Sequence, residues 1–488
     1  MYIIIALILI SIVLTARVAN KWRLPLVVIA LSAGVIFGSD VLGLIYFDDP
    51  SLAKRVADFA LVFVLFVGGF GTKKEDLKSV LWPAMSLATL GVAITAAVAT
   101  FTLNLIPGFG FSKALLLGCI ISSTDAAAAF SVLRTRPLKR RLKSVVEIES
   151  AGNDPMAIVL TTAAVHIVST GIQHPVSIGI SLLWQLVGGV GMGLLSGRVG
   201  AFLFQRVKVL DRGYFYILLI GTITLAYGSA DMVHASGMLS TFFAGYAMGN
   251  SGLPHRRTLD TFLEALSTIA NVGIFVILGL LVFPRDFGRF WKEGIVLFAT
   301  LTFLARPLAV FVCTCLSKYN LREKALLSWC GIRGAVPIVL ATYPAAAGIE
   351  SSGDIFNIVF FAVALSMLFQ GTTLGKIADK LKLAVKVQPR PDQVMELVTV
   401  HSSDLEICEI RIDDEIYTGS VLVSSLSLPK GTTITMINRH EEVIAPQGFT
   451  EILPGDVLYI LAKNTNVEAI TSTLLSRFTQ KNVEASVT

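Results

Sequence analysis

Charge is what this chain has least of. Of its 488 residues, 15% are charged and 54% hydrophobic, against about 25% charged in soluble globular chains. That shortage excludes a water-facing surface over most of the length. With a mean hydropathy of +0.73, the long apolar stretches read as membrane spans rather than as one large core. Cysteine is scarce too. Cys119, Cys313, Cys315, Cys330 and Cys408 have no paired spacing, which excludes a disulfide framework, and no neighbouring His or Cys completes a metal set. A Walker loop, a zinc motif and a nucleophile elbow are all missing. Nothing therefore points to an enzyme or to a resident cofactor.

The charge that is present is unevenly placed. From Arg390 onward there are 7 basic and 14 acidic residues, whereas the first 389 positions hold 33 basic and 20 acidic. The basic residues sit in short loops between apolar segments, which is orientation charge and argues against a nucleic-acid partner. About thirteen spans can be drawn, at 2–18, 24–39, 57–71, 81–105, 113–133, 145–169, 177–204, 214–230, 236–250, 266–283, 292–315, 325–347 and 356–374. With the N-terminus outside, alternate loops are basic: Arg17, Lys21 and Arg23, then Lys73, Lys74 and Lys78, then the run Arg134–Lys143, and so on to Lys376. The expected topology is a multi-pass protein of the bacterial inner membrane with a retained first span and a cytoplasmic tail. The Arg134–Lys143 run can also touch anionic lipid. His166, His174, His234 and His255 fall at span ends and read as solvated.

Residues 1–380 thus form a membrane domain, 381–392 a linker with two prolines, and 393–488 a small α+β domain. In the tail, β-like runs at Met395–Val400, Leu405–Ile412, Thr432–Asn438 and Val457–Ala462 alternate with turn signals. Short helices are expected at Ser420–Ser427 and Val467–Phe478.

Polar groups inside apolar spans carry the functional information, because burying them costs several kcal/mol. Three clusters stand out. In the fifth span, Ser122-Ser123-Thr124-Asp125 precedes four alanines. Thr124 and Asp125 are natural caps for a helix restarting at Ala126, so this span breaks at mid-membrane and frees backbone groups for an ion; the plainer reading is a cap closing a kink. In the sixth, Glu149-Ser150-Ala151-Gly152-Asn153-Asp154-Pro155 puts Glu149 with Asn153, and Ser150 with Asp154, on shared helix faces. Pro155 cannot donate to the Ala151 carbonyl. A partly desolvated carboxylate at Asp154 binds either a proton or a cation, which suffices for coupled exchange; the alternative is a cap or a buried salt bridge, the more natural role for Glu149. The third cluster is basic: Arg306-Pro307, and Gly331-Ile332-Arg333-Gly334 followed by Pro337. Buried arginines need a carboxylate or a helix C-terminus, and Glu149 is the expected partner of Arg333. The broken fifth and twelfth spans are seven apart, as inverted repeats around a linking seventh span require.

On Ser123-Thr124-Asp125, Glu149-Ser150-x-x-Asn153-Asp154, Arg306-Pro307 and Gly331-Ile332-Arg333-Gly334, residues 1–380 resemble cation/proton antiporters of the NhaP and cell-volume-regulation type (monovalent cation:proton antiporter family 1). The resemblance implies an all-α, thirteen-helix, NhaA-like fold with crossed discontinuous helices. It also implies a homodimer and movement of a core domain against a dimerisation domain. In such proteins Asp154 alternates between proton and cation, with Thr124 and Ser150 as helping ligands. Asn153 and Asp125 steady the crossing, Glu149 pairs with Arg333, and Arg306 supports. The Asn-Asp pair is associated with electroneutral exchange. Where relatives often carry an acid before Gly68-Gly69, this chain has Val67, and any ligand role there is absent. The tail resembles a TrkA-C (RCK-C) domain through Leu428-Pro429-Lys430-Gly431, Ile437-Asn438-Arg439 and Pro454-Gly455-Asp456. Such domains dimerise and can bind a small regulatory ligand, in some bacteria a cyclic dinucleotide. Together these features favour potassium over sodium as the exchanged ion. An RCK-gated cation channel and an organic-anion symporter of related fold are the alternatives, the first disfavoured by the lack of a TVGYG-like filter.

Overall fold

The computed structural model describes residues 2–19, 26–106, 109–133, 138–171, 175–207, 212–253, 256–350, 352–384, 393–396, 405–412, 417–426, 428–429, 431–439, 442–463, 470, 472–474 and 476–480. The chain divides into two compact units, Met1–Val385 and Lys386–Thr488. Residues 134–137 of the basic run, His174, His255, linker positions 385–392, and tail positions 397–400 and 467–469 lie outside the described residues.

The first unit is helical: α1 (Tyr2–Ala19), α2 (Leu26–Phe37), α3 (Pro50–Gly71), α4 (Lys74–Ser86), α5 (Val92–Asn104), α6 (Phe111–Ile120), α7 (Ala126–Val132), α8 (Arg140–Thr170), α9 (Pro175–Arg206), α10 (Arg212–Met232), α11 (Gly237–Gly249), α12 (Arg256–Leu280), α13 (Phe287–Ala299), α14 (Arg306–Cys313), α15 (Leu321–Trp329), α16 (Ala335–Leu340), α17 (Tyr343–Ala346), α18 (Ser352–Leu365) and α19 (Gly371–Lys380). π-Helical turns at Leu87–Gly91, Thr300–Ala305 and Ser366–Gln370 join α4 to α5, α13 to α14 and α18 to α19. Each of these pairs is one long span with a local widening. Among the described residues six stretches are long and apolar enough to cross a bilayer alone: Val80–Asn104, Gly179–Arg206, Gly213–Met232, Thr258–Leu280, Phe287–Cys313 and Ser352–Lys380. The chain is a multi-pass membrane protein. Side chains such as Ile3, Val13, Phe59, Phe101 and Ile217 are exposed on helix faces, as lipid-facing surface requires.

Packing sorts the helices into two groups. In the first, α11 lies against α9 and α3, α12 against α2 and α3, and α10 against α9 and α11. The α3–α11 seam is so close that a Cβ on Gly69 would meet the backbone of Phe242, and one on Gly245 the backbone of Phe66. Small residues let helices approach where no water drives them together. In the second group α8 lies against α4 and α6, α5 against α6, α13 against α18, and α19 against α7. α16 and α17 also touch α3, which puts them at the boundary between the groups.

The second unit is built on a five-stranded antiparallel sheet. Its order is Gln393–Glu396, Leu405–Arg411, Val457–Lys463, Thr433–Arg439, Glu442–Ile444. Ile410, Tyr417, Ile437, Leu458, Ile460 and Leu474 fill its core. The helix expected at Ser420–Ser427 is not formed. Val421–Leu422 instead pairs as a strand with Glu451–Ile452, followed by one 3₁₀ turn at Val423–Ser425. β-Branched valines there prefer the pleat, and a two-sided apolar pattern cannot separate the two forms.

Candidate functional site

Two helices of the second group stop inside the bundle and meet. α6 ends at Ile120, and α7 begins at Ala126 with Asp125 as its N-cap, the carboxylate accepting from the Ala128 amide at 3.0 Å. α15 ends at Trp329, and α16 begins at Ala335. Between them the Asp125 amide donates to the Ile332 carbonyl at 2.7 Å. A side chain at position 334 has no room, since a Cβ on Gly334 would lie 2.5 Å from Asp125 Cβ and Cγ. The sequence Ser-Thr-Asp against Gly-Ile-Arg-Gly therefore crosses main chain to main chain, which only glycine permits.

Arg333 closes the crossing. Its Nη1 donates to the Ser122 and Ser123 carbonyls at 2.9 and 2.6 Å, placing the cation at the carbonyl end of α6. Its amide donates to the Ser366 hydroxyl at 3.0 Å, and that hydroxyl donates to Gln370 Oε1 at 2.5 Å. Sequence reasoning missed both residues, although a Ser-x-x-x-Gln pair inside an apolar span is a visible signal. Here it lies on a π-helical turn, which shifts the face and has no sequence period.

The expected Glu149–Arg333 ion pair is corrected by the geometry. Glu149 is held by Arg306, with Nη1 to Oε1 at 2.5 Å and Nη2 to Oε2 at 2.8 Å. The Arg306 and Glu149 side chains are 4% and 1% exposed. The physical reason is that the Ser122 and Ser123 carbonyls, left free in the break between α6 and α7, already take the Arg333 donors. The Thr300–Ala305 π turn leads directly into Arg306, whose planar fork matches a carboxylate at both oxygens.

α8 supplies the remaining groups. Ser150 Oγ donates to the Thr124 carbonyl at 2.9 Å and accepts from the Ala126 amide at 3.0 Å, so it satisfies both sides of the α6–α7 break. Asn153 Nδ2 donates to Thr124 Oγ1 at 2.6 Å. Asn153 is fully buried, and its Oδ1 has no hydrogen-bond partner among the described residues. Asp154, next along, lines a cavity of about 200 Å³ with Ser123, Thr124, Asp125 and the start of α16. Across the cavity stand Leu61 and Val64 of α3 and Thr268 and Asn271 of α12, from the other helix group. Val67 is not on its wall. Thr268 and Asn271 were also missed by sequence reasoning, because single polar residues in a long amphipathic helix read as its solvated face. The ionisable group acting on Asp154 is the like-charged Asp125, and among the described residues no cation is paired with it. No cluster of three or more His, Cys, Asp or Glu able to hold a metal occurs among the described residues. The helix-end histidines His166 and His234 are exposed.

What this arrangement can do is bounded by its charges. A carboxylate in a small cavity, with hydroxyl, amide and carbonyl oxygens around it, can be neutralised by one proton or by one monovalent cation.

The comparisons with known proteins agree. The family model described as sodium/hydrogen exchanger, transmembrane, matches residues 5–380. The K(+)/H(+) antiporter NhaP2 of Shewanella sp. (strain ANA-3) is 33% identical over 464 residues, covering 94% of this chain and 80% of that one. The K(+)/H(+) antiporter NhaP of Alkalimonas amylolytica is 32% identical over 98% of this chain and 84% of its own length. The Na(+)/H(+) antiporter 1 of Methanocaldococcus jannaschii is 26% identical over 75% of this chain and 92% of its own. Among solved structures, the sodium proton antiporter MjNhaP1 from that organism at pH 8 superposes with a TM-score of 0.67. It shares 24% identity, covering 78% of this chain and 99% of the other, and so shares the fold. The chain belongs to the sodium/hydrogen exchanger family and is a monovalent cation:proton antiporter.

Proposed function

We propose that this antiporter exchanges potassium, or sodium, for a proton one for one across the bacterial inner membrane, and that Asp154 carries both in turn. The observation that carries this reading is the contrast along one helix: Glu149 is locked to Arg306, while Asp154 faces the cavity with no cation paired to it among the described residues. A half-dry carboxylate without a fixed partner must take a mobile one, and two cations cannot share it. Thr124, Ser150 and the unpaired Asn153 Oδ1 are the oxygens that help ligate the metal ion. Asp125, Arg333 and Arg306 hold the crossing. The potassium-exchanging relatives, at 33% and 32% identity, favour that ion over sodium. The reading includes thirteen spans in inverted repeats, the N-terminus outside, and the strand unit in the cytoplasm as a TrkA-C domain that binds a small ligand such as a cyclic dinucleotide. The chain then works as a homodimer through the group of α1–α3 and α9–α12, against which the crossing group moves.

The test is proton movement in proteoliposomes driven by gradients of potassium, sodium, rubidium or lithium. Asp154→Asn is expected to lower exchange by at least about a hundredfold while the protein stays folded. Undiminished cation-driven proton flux in that variant would overturn the proposal.

A further inference from the structure

A second cavity, of about 560 Å³, opens between the two helix groups on the face where α3 begins. Lys54 and Asp58 of α3 and Asp231 of α10 stand on one wall; Ile158 and Thr162 of α8 and Tyr343 of α17 stand on the other. It nearly meets the Asp154 cavity. Asp58 lines the first cavity, and Leu61, one turn on, lines the second; likewise Ile158 lines the first and Asp154 the second. One helical turn, about 5 Å, separates them.

Across that turn lies a three-way contact between the groups. Tyr343 Oη donates to Asp58 Oδ1 at 2.7 Å. Lys54 Nζ donates to Asp58 Oδ2 at 2.7 Å and sits 4.2 Å from the centre of the Tyr343 ring. Tyr343 is on the crossing's side of the boundary and is 9% exposed. Lys54 and Asp58 are on α3, with side chains 30% and 17% exposed.

We propose that Asp58, Lys54 and Tyr343 form a latch on the floor of this cavity, and that the Tyr343–Asp58 hydrogen bond must part before Asp154 can be reached from this face. To join the two cavities, α17 has to move away from α3, and that movement separates these atoms. The chemistry suits a bond made to be broken. Lys54 is one turn from Asp58 on the same helix and travels with it, so the carboxylate keeps a partner after the hydroxyl leaves. The freed hydroxyl opens onto the cavity rather than into apolar packing. The three residues are positioning groups; they are not ligands of the carried ion.

Sided labelling tests this. Leu61→Cys puts a thiol on the Asp154 cavity, and a membrane-impermeant thiol reagent is added to vesicles from one face or the other, with the labelling of the parent subtracted. Tyr343→Phe keeps the ring beneath Lys54 and removes only the hydroxyl. It is expected to speed labelling at least about tenfold from the face where α3 begins, the effect of losing one charge-assisted hydrogen bond in one state, and to leave the other face within about twofold. Asp58→Ala should act in the same direction, which keeps the test open if one variant folds poorly. An unchanged rate, or an equal rise from both faces, overturns the latch. In transport-competent vesicles the same variants should lower the KM for cation at that face; a lower kcat with unchanged KM would also count against it. The inference rests on Asp154 as the carrier only for its consequence. Labelling requires no exchange, so failure of the latch and failure of the carrier reading can be told apart.

Discussion

The membrane unit and the strand unit each contain a forked arginine–carboxylate pair, and their surroundings make the two pairs different in kind. Arg306 and Glu149 have both given up water, with side chains 4% and 1% exposed. Arg439 meets Asp456 through Nε at 2.8 Å and Nη2 at 2.7 Å, but the arginine remains 26% exposed while the aspartate is 1% exposed. Asp456 also accepts from the Leu453 amide at 2.8 Å, and Arg439 reaches the Glu451 carbonyl at 2.7 Å. The second pair clamps a turn and keeps water available to one partner. In the first, among the described residues, each member is the other's only substitute for solvent, apart from a 3.3 Å bond to the Leu327 carbonyl and the Thr124 hydroxyl at 3.4 Å. Equal geometry therefore does not mean equal consequence. What matters is how much water each partner could recover alone.

The sharpest way to break that comparison is to remove one partner from the buried pair. Arg306→Ala leaves Glu149 charged, buried and alone, and is expected to destabilise the membrane unit by about 3–5 kcal/mol. Replacing both members together, Glu149→Gln with Arg306→Met, should recover most of the loss, since no unpaired charge remains. Thermal unfolding in detergent measures both. A single substitution costing under about 1 kcal/mol would show that water enters the crossing and that the two pairs are alike after all.

The intermediate case lies in the strand unit. Asp456→Ala removes two bonds to a guanidinium and one to a backbone amide, and should cost that unit about 1–3 kcal/mol, read by limited proteolysis of the tail. The pH dependence sharpens the contrast. The hydrogen bonds Arg439 donates to Asp456 raise the guanidinium above its ordinary value. A raised base contributes stability that is complete below its unfolded pKa and is lost only as pH climbs through the folded one. Both lie far above neutrality, so this contribution should be flat between about pH 6 and 9.

How much of this could be read in the sequence follows the same division. The break at Asp125 and the restart at Ala126 come from caps that act within a few residues, and the pairing of Ser150 with Asp154 from four-residue spacing, whereas Thr124 joined Ser150 only through the family resemblance. The partner of Glu149 was not legible, because composition tells which arginines must be neutralised and not which span lies nearest. Two features decided it: the Ser122 and Ser123 carbonyls freed by the break after α6, which took Arg333, and a π turn before Arg306. Neither leaves a period in the sequence. The strands at Leu405–Arg411 and Val457–Lys463 were legible from alternation, whereas the short Glu442–Ile444 edge, with one valine and one isoleucine, was below what a pattern can detect.

The smallest effect is expected two residues from the acidic member of the buried pair. Glu147 lies on α8 beside Glu149 in sequence, and Lys143, one turn earlier, approaches it at 3.2 Å. By distance this is an ion pair like the others. Its side chains, however, are 38% and 47% exposed, so each charge already has water and loses little when the other goes. Lysine N-terminal to glutamate is also the less favourable order against the helix dipole. Glu147→Gln should therefore change stability by less than about 0.5 kcal/mol, measured in the same unfolding assay as Arg306→Ala. If it cost as much as the buried pair, exposure would not be the variable that separates these interactions, and the helix start itself would have to be counted as part of the crossing.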